Sequence, residues 1–409
     1  MSEPDRTESR VAGPGDAFPD FAVACGEEAS DPLVVHEGRE IRVDELAASG
    51  HLDRQDEDLA AVAGLGVRLW RYGMPWRLTE PEAGVYDWSL WDRALASCER
   101  HGLVPIVDLC HFGLPAHHRG FADPGWVEGF VRYVDAFLAR FREPVLFTPV
   151  NEPMITAMCS AMWGIWNDRR ASRADYFRAL AHATLANLEA VARIDANRSG
   201  WWIGAEGFGC HVAATPDDEP AATTARELEQ LTWDLHLGVE PPSSMADIGD
   251  HVDDAVLERI AALAGPTDRV VAGHDVYPVS VIVHGDRDPL SISERLAAYE
   301  REARAWHARY QRPFWVAETS NLGLPVGDGP VWLGELVGTL DRLRGDGLPA
   351  RGLCWYSRGD QVDWQTMLAR PIGEVTEVGL FDTDRRPRPV AAVYRELAAS
   401  RGRAGTGSV

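Results

Sequence analysis

A chain of 409 residues that is 45% hydrophobic and 25% charged has enough apolar side chain for a large core, which excludes disorder over most of its length. Its formal charge of −23 argues against a nucleic-acid partner, whose phosphates need clustered basic residues, and disfavours an anionic membrane surface. No stretch approaches the ~18 apolar residues of a membrane span, and the start Met1-Ser2-Glu3-Pro4-Asp5-Arg6 lacks the basic-then-apolar order of a secretory leader, so a cytoplasmic location is expected.

Residues 1 to about 17 are rich in Gly, Ser, Pro and charge and predict a disordered tail, as do residues 401–409. Between the tails, short β-branched or aromatic runs alternate with longer segments of helical periodicity. In chain order the runs are Phe21 to Cys25, Val67 to Tyr72, Val104 to Cys110, Val145 to Val150, Trp201 to Ala205, Arg269 to Gly273, Pro313 to Ala317 and Arg351 to Tyr356. Helices are predicted from Trp91 to Arg100, stopped by Gly102, and from Ser293 to Tyr310. The stretch 212–228, with Thr215-Pro216-Asp217-Asp218-Glu219-Pro220, predicts a long loop after the fifth run. Cys25, Cys110, Cys210 and Cys354 stand in or just after apolar runs as small core residues. Six cysteines without a Cys-x-x-Cys pair make neither a disulfide framework nor a structural zinc site.

Eight strand-helix alternations with continuous apolar strands imply a parallel sheet covered on both faces, most economically a single α/β domain over residues 18–400 closed as a (β/α)8 TIM barrel. A doubly wound open sheet is the competing architecture. Against it, Gly26-Glu27-Glu28-Ala29-Ser30-Asp31 after the first strand has the wrong spacing for a dinucleotide loop.

In such barrels the chemistry sits at the C-terminal ends of the strands. Glu152, in Thr148-Pro149-Val150-Asn151-Glu152-Pro153, follows the fourth strand, and Glu318, in Phe314-Trp315-Val316-Ala317-Glu318-Thr319-Ser320, follows the seventh. The two strands lie on opposite sides of the barrel, so the carboxyl groups can face each other across its mouth. A proton donor facing a nucleophile at roughly 5 to 5.5 Å is the equipment for retaining cleavage of a glycosidic bond, and roughly 6.5 to 9.5 Å would indicate inversion. His111, His117 and His118 offer a zinc reading, but no His-Glu-x-x-His pattern accompanies them, and neither metal nor cofactor is expected.

Asn151-Glu152-Pro153 resembles the acid/base motif of glycoside hydrolase family 1, the β-glucosidase family of retaining (β/α)8 enzymes, and Val316-Ala317-Glu318-Thr319-Ser320-Asn321 resembles its nucleophile strand. Asp360-Gln361-Val362-Asp363-Trp364 and Val378-Gly379-Leu380-Phe381-Asp382 resemble the segments after the eighth strand, so the likeness runs from about residue 18 to 393. Gly50-His51, Thr148 to Pro153 and Gly164-Ile165-Trp166 are most similar to the glycosidase-like module sometimes fused to sugar-nucleotide reductases. The resemblance implies Glu152 as acid/base and Glu318 as nucleophile, supported by Arg71 and Tyr277. It implies His111, Asn151, Trp355, Asp363, Trp364 and Glu28 as contacts to a small-molecule glycoside or oligosaccharide. Three departures touch the sugar: Asp275 stands where the family has Asn, Asp363 where it has Glu, and Glu27 or Glu28 near the place of a Gln. The activity implied is hydrolysis by double displacement; transfer to an alcohol acceptor and a non-catalytic sugar-binding barrel are the alternatives.

Overall fold

A strand that is apolar on both faces has no solvent side, so these runs pair in parallel with one face toward a barrel axis and the other toward covering helices. The computed structural model describes residues 18–265 and 267–404. Its strands in chain order are β1 (Ala22–Gly26), β2 (Leu33–His36), β3 (Arg39–Arg42), β4 (Leu69–Gly73), β5 (Val104–Asp108), β6 (Leu146–Thr148) and β7 (Trp201–Ile203). They continue as β8 (Cys210–Ala213), β9 (Val270–Asp275), β10 (Val281–His284), β11 (Phe314–Thr319), β12 (Ala350–Trp355), β13 (Gln361–Val362) and β14 (Val375–Thr376). The eight predicted runs are β1, β4, β5, β6, β7, β9, β11 and β12, and they close in that order into a parallel barrel, β12 returning to β1 with Ala22 opposite Gly352.

Strand alternation divides the core in two. Ala24, Leu69, Ile106, Leu146, Ile203, Val271, Trp315 and Cys354 fill the barrel, with Phe18 set edge-on against Trp315 at 5.3 Å between ring centroids. Trp70, Tyr72, Val107, Phe147, Trp202, Phe314, Leu353 and Trp355 face the helices. All six cysteines are buried and free. The helix Ser89–His101 ends at Gly102, whose positive φ of 63° suits glycine, and Ile292–Tyr310 starts with a capping box between Ser291 and Glu294.

Two expectations are corrected. The loop over 212–228 is instead the end of β8 followed by the helix Glu219–Leu237; Pro220 lies in its first turn, where the missing N–H costs nothing. Residues 401–404 complete the helix Pro389–Ala404, while residues 1–17 and 405–409 lie outside the described residues. Short pairs supplement the barrel: the β2–β3 hairpin, parallel β8–β10 and antiparallel β13–β14. Val34 and Val43, at either end of the hairpin, share a small separate core with Phe112, Cys159, Trp166 and Leu368.

Candidate active site

Alternation along β4, β5 and β9 turns Arg71, Asp108 and Asp275 inward at the strand ends. Glu318 needs a different device, because Trp315 and Ala317 already face inward. Between the pairs Trp315–Gly273 and Glu318–Asp275, β11 spends three residues where β9 spends two, and this bulge re-aims Glu318 into the barrel mouth beside Asp275. Glu152 arrives by a tight turn: it adopts φ 39° and ψ 67°, a left-handed conformation rare outside glycine, and caps the helix Pro153–Ala157. Its N–H donates to Ala205 O at 3.1 Å, which anchors the turn to the end of the fifth barrel strand.

A continuous hydrogen-bond chain crosses the mouth. Tyr277 OH donates to Glu318 Oε2 at 2.7 Å, and Arg71 Nη1 donates to Glu318 Oε1. Arg71 Nη2 reaches Asp108 Oδ2 at 2.8 Å and Asn151 Oδ1. Asn151 Nδ2 lies 3.2 Å from His111 Nε2, and His111 Nδ1 lies 2.8 Å from Asp108 Oδ2. In the neutral ring, Nδ1–H donates to Asp108 while Nε2 accepts from Asn151. One buried cation therefore orients two acids and an amide, while both oxygens of Glu318 accept hydrogen bonds as a carboxylate does.

Glu152 sits in the opposite environment. Burial first, then the charges of Asp275, Glu318 and Glu206, push its pKa well above the carboxylate range and favour its protonated form. Burial and Glu318 likewise raise Asp275 despite the opposing pull of Arg71. Burial disfavours a charge on His111, but Asp108 and Glu28 outweigh it and raise its pKa. Single oxygens of Glu152, Asp275 and Glu318 all lie within 4.8 Å of one another. Spacing alone would let these three ligate a divalent cation, yet both oxygens of Glu318 are taken by Arg71 and Tyr277. The rings of His117 and His118 are tilted by 54° with centroids 4.4 Å apart, burial lowers His118 to about 4, and the two belong to no three-ligand cluster among the described residues.

A cavity of about 520 Å³ opens over these groups. Glu28, His111, Glu152, Tyr277, Glu318 and Trp364 line it. Glu28 accepts from Ser30 N–H at 2.8 Å and Gln361 Nε2 at 3.1 Å, whereas Glu27 pairs with Arg358 at 2.6 Å, so Glu28 is the acid of the first strand that serves the cavity. Arg71 and Asn151 stand just beneath the cavity lining, buried by the hydrogen bonds above.

Two expected contacts are corrected. Trp355 is fully buried on the helix side of β12, its ring near Tyr394 and its Nε1–H donating to Val378 O at 3.0 Å. Alternation gives the inward position to the next residue, Tyr356, which lies parallel to His111 at 6.0 Å and 5.2 Å from the Arg71 guanidinium. Asp363 accepts from Gly373 N–H at 2.9 Å and Glu374 N–H at 2.8 Å, so its carboxylate ties down a loop and does not line the cavity. Gln361 and Gln365 line it instead, together with an apolar outer wall of Met154, Ile155, Phe208, Val279, Ile282 and Leu322. Sequence reasoning missed these: they lie on short helical turns, short outer strands and loops after the barrel strands, too brief for periodicity to mark an inward face. Period-two counting from Cys354 would have found Tyr356.

A barrel whose rim holds one acid with a raised pKa, facing a second held by a guanidinium, has the architecture of (β/α)8 glycoside-cleaving enzymes. The model of glycosyl hydrolase family 1 matches residues 29–238, half of the chain, and the chain belongs to that family. It is 23% identical over 288 residues to a β-glucosidase of Agrobacterium sp. (strain ATCC 21400), a match covering 68% of this chain and 55% of that protein. It is 28% identical over 156 residues to a 6-phospho-β-galactosidase of Lacticaseibacillus rhamnosus, covering 34% of this chain and 32% of that one. The chain thus spans between a third and about half of the length of these relatives. The family 1 β-glucosidase structure from Exiguobacterium antarcticum B7 superposes with a TM-score of 0.78 at 17% identity, covering 94% of this chain and 99% of that one. A Thermotoga maritima β-glucosidase in complex with deoxynojirimycin gives 0.74 at 17% identity, covering 86% and 87%. At these identities the structural likeness speaks for the fold.

Proposed function

We propose that the protein is a retaining β-glycosidase that hydrolyses O-glycosidic bonds by double displacement. The observation that carries this reading is the separation of Glu152 and Glu318: single oxygens within 4.8 Å of each other match the roughly 5 to 5.5 Å of a retaining pair better than the roughly 6.5 to 9.5 Å that an inverting pair needs. Glu318, gripped by Arg71 and Tyr277, attacks the anomeric carbon, while Glu152 gives its proton to the leaving oxygen. Glu152 then takes a proton from water, whose oxygen displaces Glu318 and releases the sugar with its original configuration.

Asn151 and His111 are our assignment for the hydroxyls nearest the reacting carbon, because Arg71 and Asp108 fix both beside Glu318. Glu28, Gln361 and Trp364 serve the far side of the sugar, and the apolar outer wall receives the aglycone. That wall favours hydrolysis of a small glycoside over a role as a bare sugar binder, which has no use for a protonated acid facing a held carboxylate. Among known types, Gly50-His51 and Gly164-Ile165-Trp166 support the module kind found beside sugar-nucleotide reductases. Six free buried thiols support a reducing compartment such as the cytoplasm.

Proton NMR during hydrolysis of a panel of nitrophenyl β-glycosides tests the mechanism. The β-anomer of the free sugar is expected first, turning into the equilibrium mixture later; the α-anomer first would mean inversion and sink the double displacement. Adding methanol separates hydrolysis from transfer: free sugar as the main product is expected, and methyl glycoside as the main product would favour a transglycosidase.

A further inference from the structure

Asp275 lines the cavity, is 1% exposed, and sits opposite Glu318 in the β9–β11 register. Its carboxylate neighbours are well supplied with donors. Glu318 has Arg71 and Tyr277, and Glu206 accepts from the N–H groups of Met154 and Gly207 at 3.0 Å and from Thr232 OH at 2.9 Å. Among the described residues no N–H, hydroxyl or guanidinium donates to either Asp275 oxygen. What faces it is the Glu152 carboxyl, single oxygens of the two lying within 4.8 Å of each other. Two ionised carboxylates offer only acceptors, so a hydrogen bond can join them only when one of them carries a proton.

We propose that Asp275 is a positioning residue that shares one proton with Glu152 and holds it there until the leaving oxygen takes it. This rests on the reading of Glu152 as the acid/base. Glu152 is the member that hands the proton over, being 7% exposed at the cavity wall while Asp275 lies deeper. The surroundings favour retention of the proton. Glu318 from β11 and Glu206 after β7 add negative charge, and the cation Arg71 from β4 is committed to Glu318, Asp108 and Asn151. The phenol of Tyr277, after β9, points to Glu318, and burial keeps the thiol of Cys159, on the helical turn behind Glu152, neutral. Once the proton has gone to the leaving oxygen, the pair is left with two negative charges. Their repulsion makes Glu152 a stronger base, and the proton it draws from the attacking water restores the pair, so one proton leaves and one returns per turnover.

The test is a titration of Glu152 by carbon-13 NMR of side-chain-labelled glutamate, with E152Q identifying the signal, in wild type and in the near-isosteric D275N. The expected midpoint in wild type lies well above the ordinary ~4.3 of glutamate, and D275N lowers it by about one pH unit or more. In parallel, the basic limb of kcat/KM for a phenyl β-glycoside, whose poor leaving group needs the acid, moves down in D275N by the same amount. A wild-type midpoint in the ordinary range would overturn the proposal without any variant, as would an unchanged midpoint in folded D275N. A midpoint that falls while the rate profile stays in place would keep the shared proton but overturn the acid role on which the proposal rests.

Discussion

Glu152 and Glu318 carry the same functional group and behave differently because of what touches them. A guanidinium and a phenol grip Glu318, while burial and neighbouring anions raise the pKa of Glu152. Substitution should therefore separate their roles. Glu318→Gln, which keeps the shape and removes the nucleophile, is expected to abolish turnover on every glycoside. Glu152→Ala should cut kcat/KM on a phenyl glycoside by about 10²- to 10⁴-fold and on a 2,4-dinitrophenyl glycoside far less. Equal losses on both leaving groups would remove Glu152 from the acid role. The sequence exposed these two residues because each sits in a compact motif at the end of an unmistakable apolar run. It misled at Trp355, where an aromatic at a strand end was taken for a sugar platform, although Cys354 faces the barrel interior and its neighbour must face the helices. Asp363 misled in another way: it adopts a positive φ of 58° and bonds two backbone N–H groups ten and eleven residues on, a local turn role that no motif announces.

At the scale of elements, the barrel strands were legible because burial on both faces leaves runs of β-branched and aromatic residues. The β2–β3 hairpin was not, since Leu33–His36 and Arg39–Arg42 are only four residues each and the second is largely charged; the positive φ of Glu37 and Gly38 marks its turn. The bulge in β11 is also invisible in sequence, though it aims Glu318, the proposed nucleophile, into the barrel mouth. In the helix Glu219–Leu237, prolines and acids gave the appearance of a loop while in fact opening a helix. That helix carries a buried histidine with a consequence for stability. His236 Nδ1–H donates to Thr232 O at 2.7 Å, its Nε2 accepts from Asn187 at 3.1 Å, and burial lowers its pKa to about 4. The unfolded chain then binds a proton on this residue below about pH 6.5 that the folded protein refuses until about pH 4, so stability falls as pH drops through that window. Between pH 7 and 5 the loss from this residue is about 2 kcal/mol. Urea unfolding should show His236→Gln with a correspondingly shallower pH dependence than wild type; an identical slope would contradict a neutral buried imidazole.

For the molecule as a whole, the closure of the barrel at β1 and β12 is fixed by a charge cluster beneath the site. Arg358, 2% exposed and just beyond β12, pairs with Glu27 after β1 at 2.6 Å and lies 3.2 Å from Asp58, which in turn holds His51 at 2.8 Å. His51 Nε2 continues to Tyr72 OH at 2.6 Å, tying the second barrel strand to the same cluster. Removing one partner from a buried ion pair leaves an uncompensated charge, so Arg358→Met should cost about 3–5 kcal/mol in chemical denaturation. A loss under about 1 kcal/mol would mean that water reaches the cluster. The barrel order was readable from eight alternations, but this cluster was not, because its members are up to 331 residues apart and each reads as an ordinary surface charge. The fold exists at the rim to bring β6 and β11 to opposite sides of one mouth, and the whole account stands on what their two glutamates do there. Intact-protein mass spectrometry after exposure to activated 2-deoxy-2-fluoro glycosides of several sugars addresses that directly. A stable increase of one fluoro-sugar, mapped by peptide analysis to Glu318 and absent in Glu318→Gln, is the predicted result; turnover of the parent glycosides with the adduct mapped to another residue would contradict it.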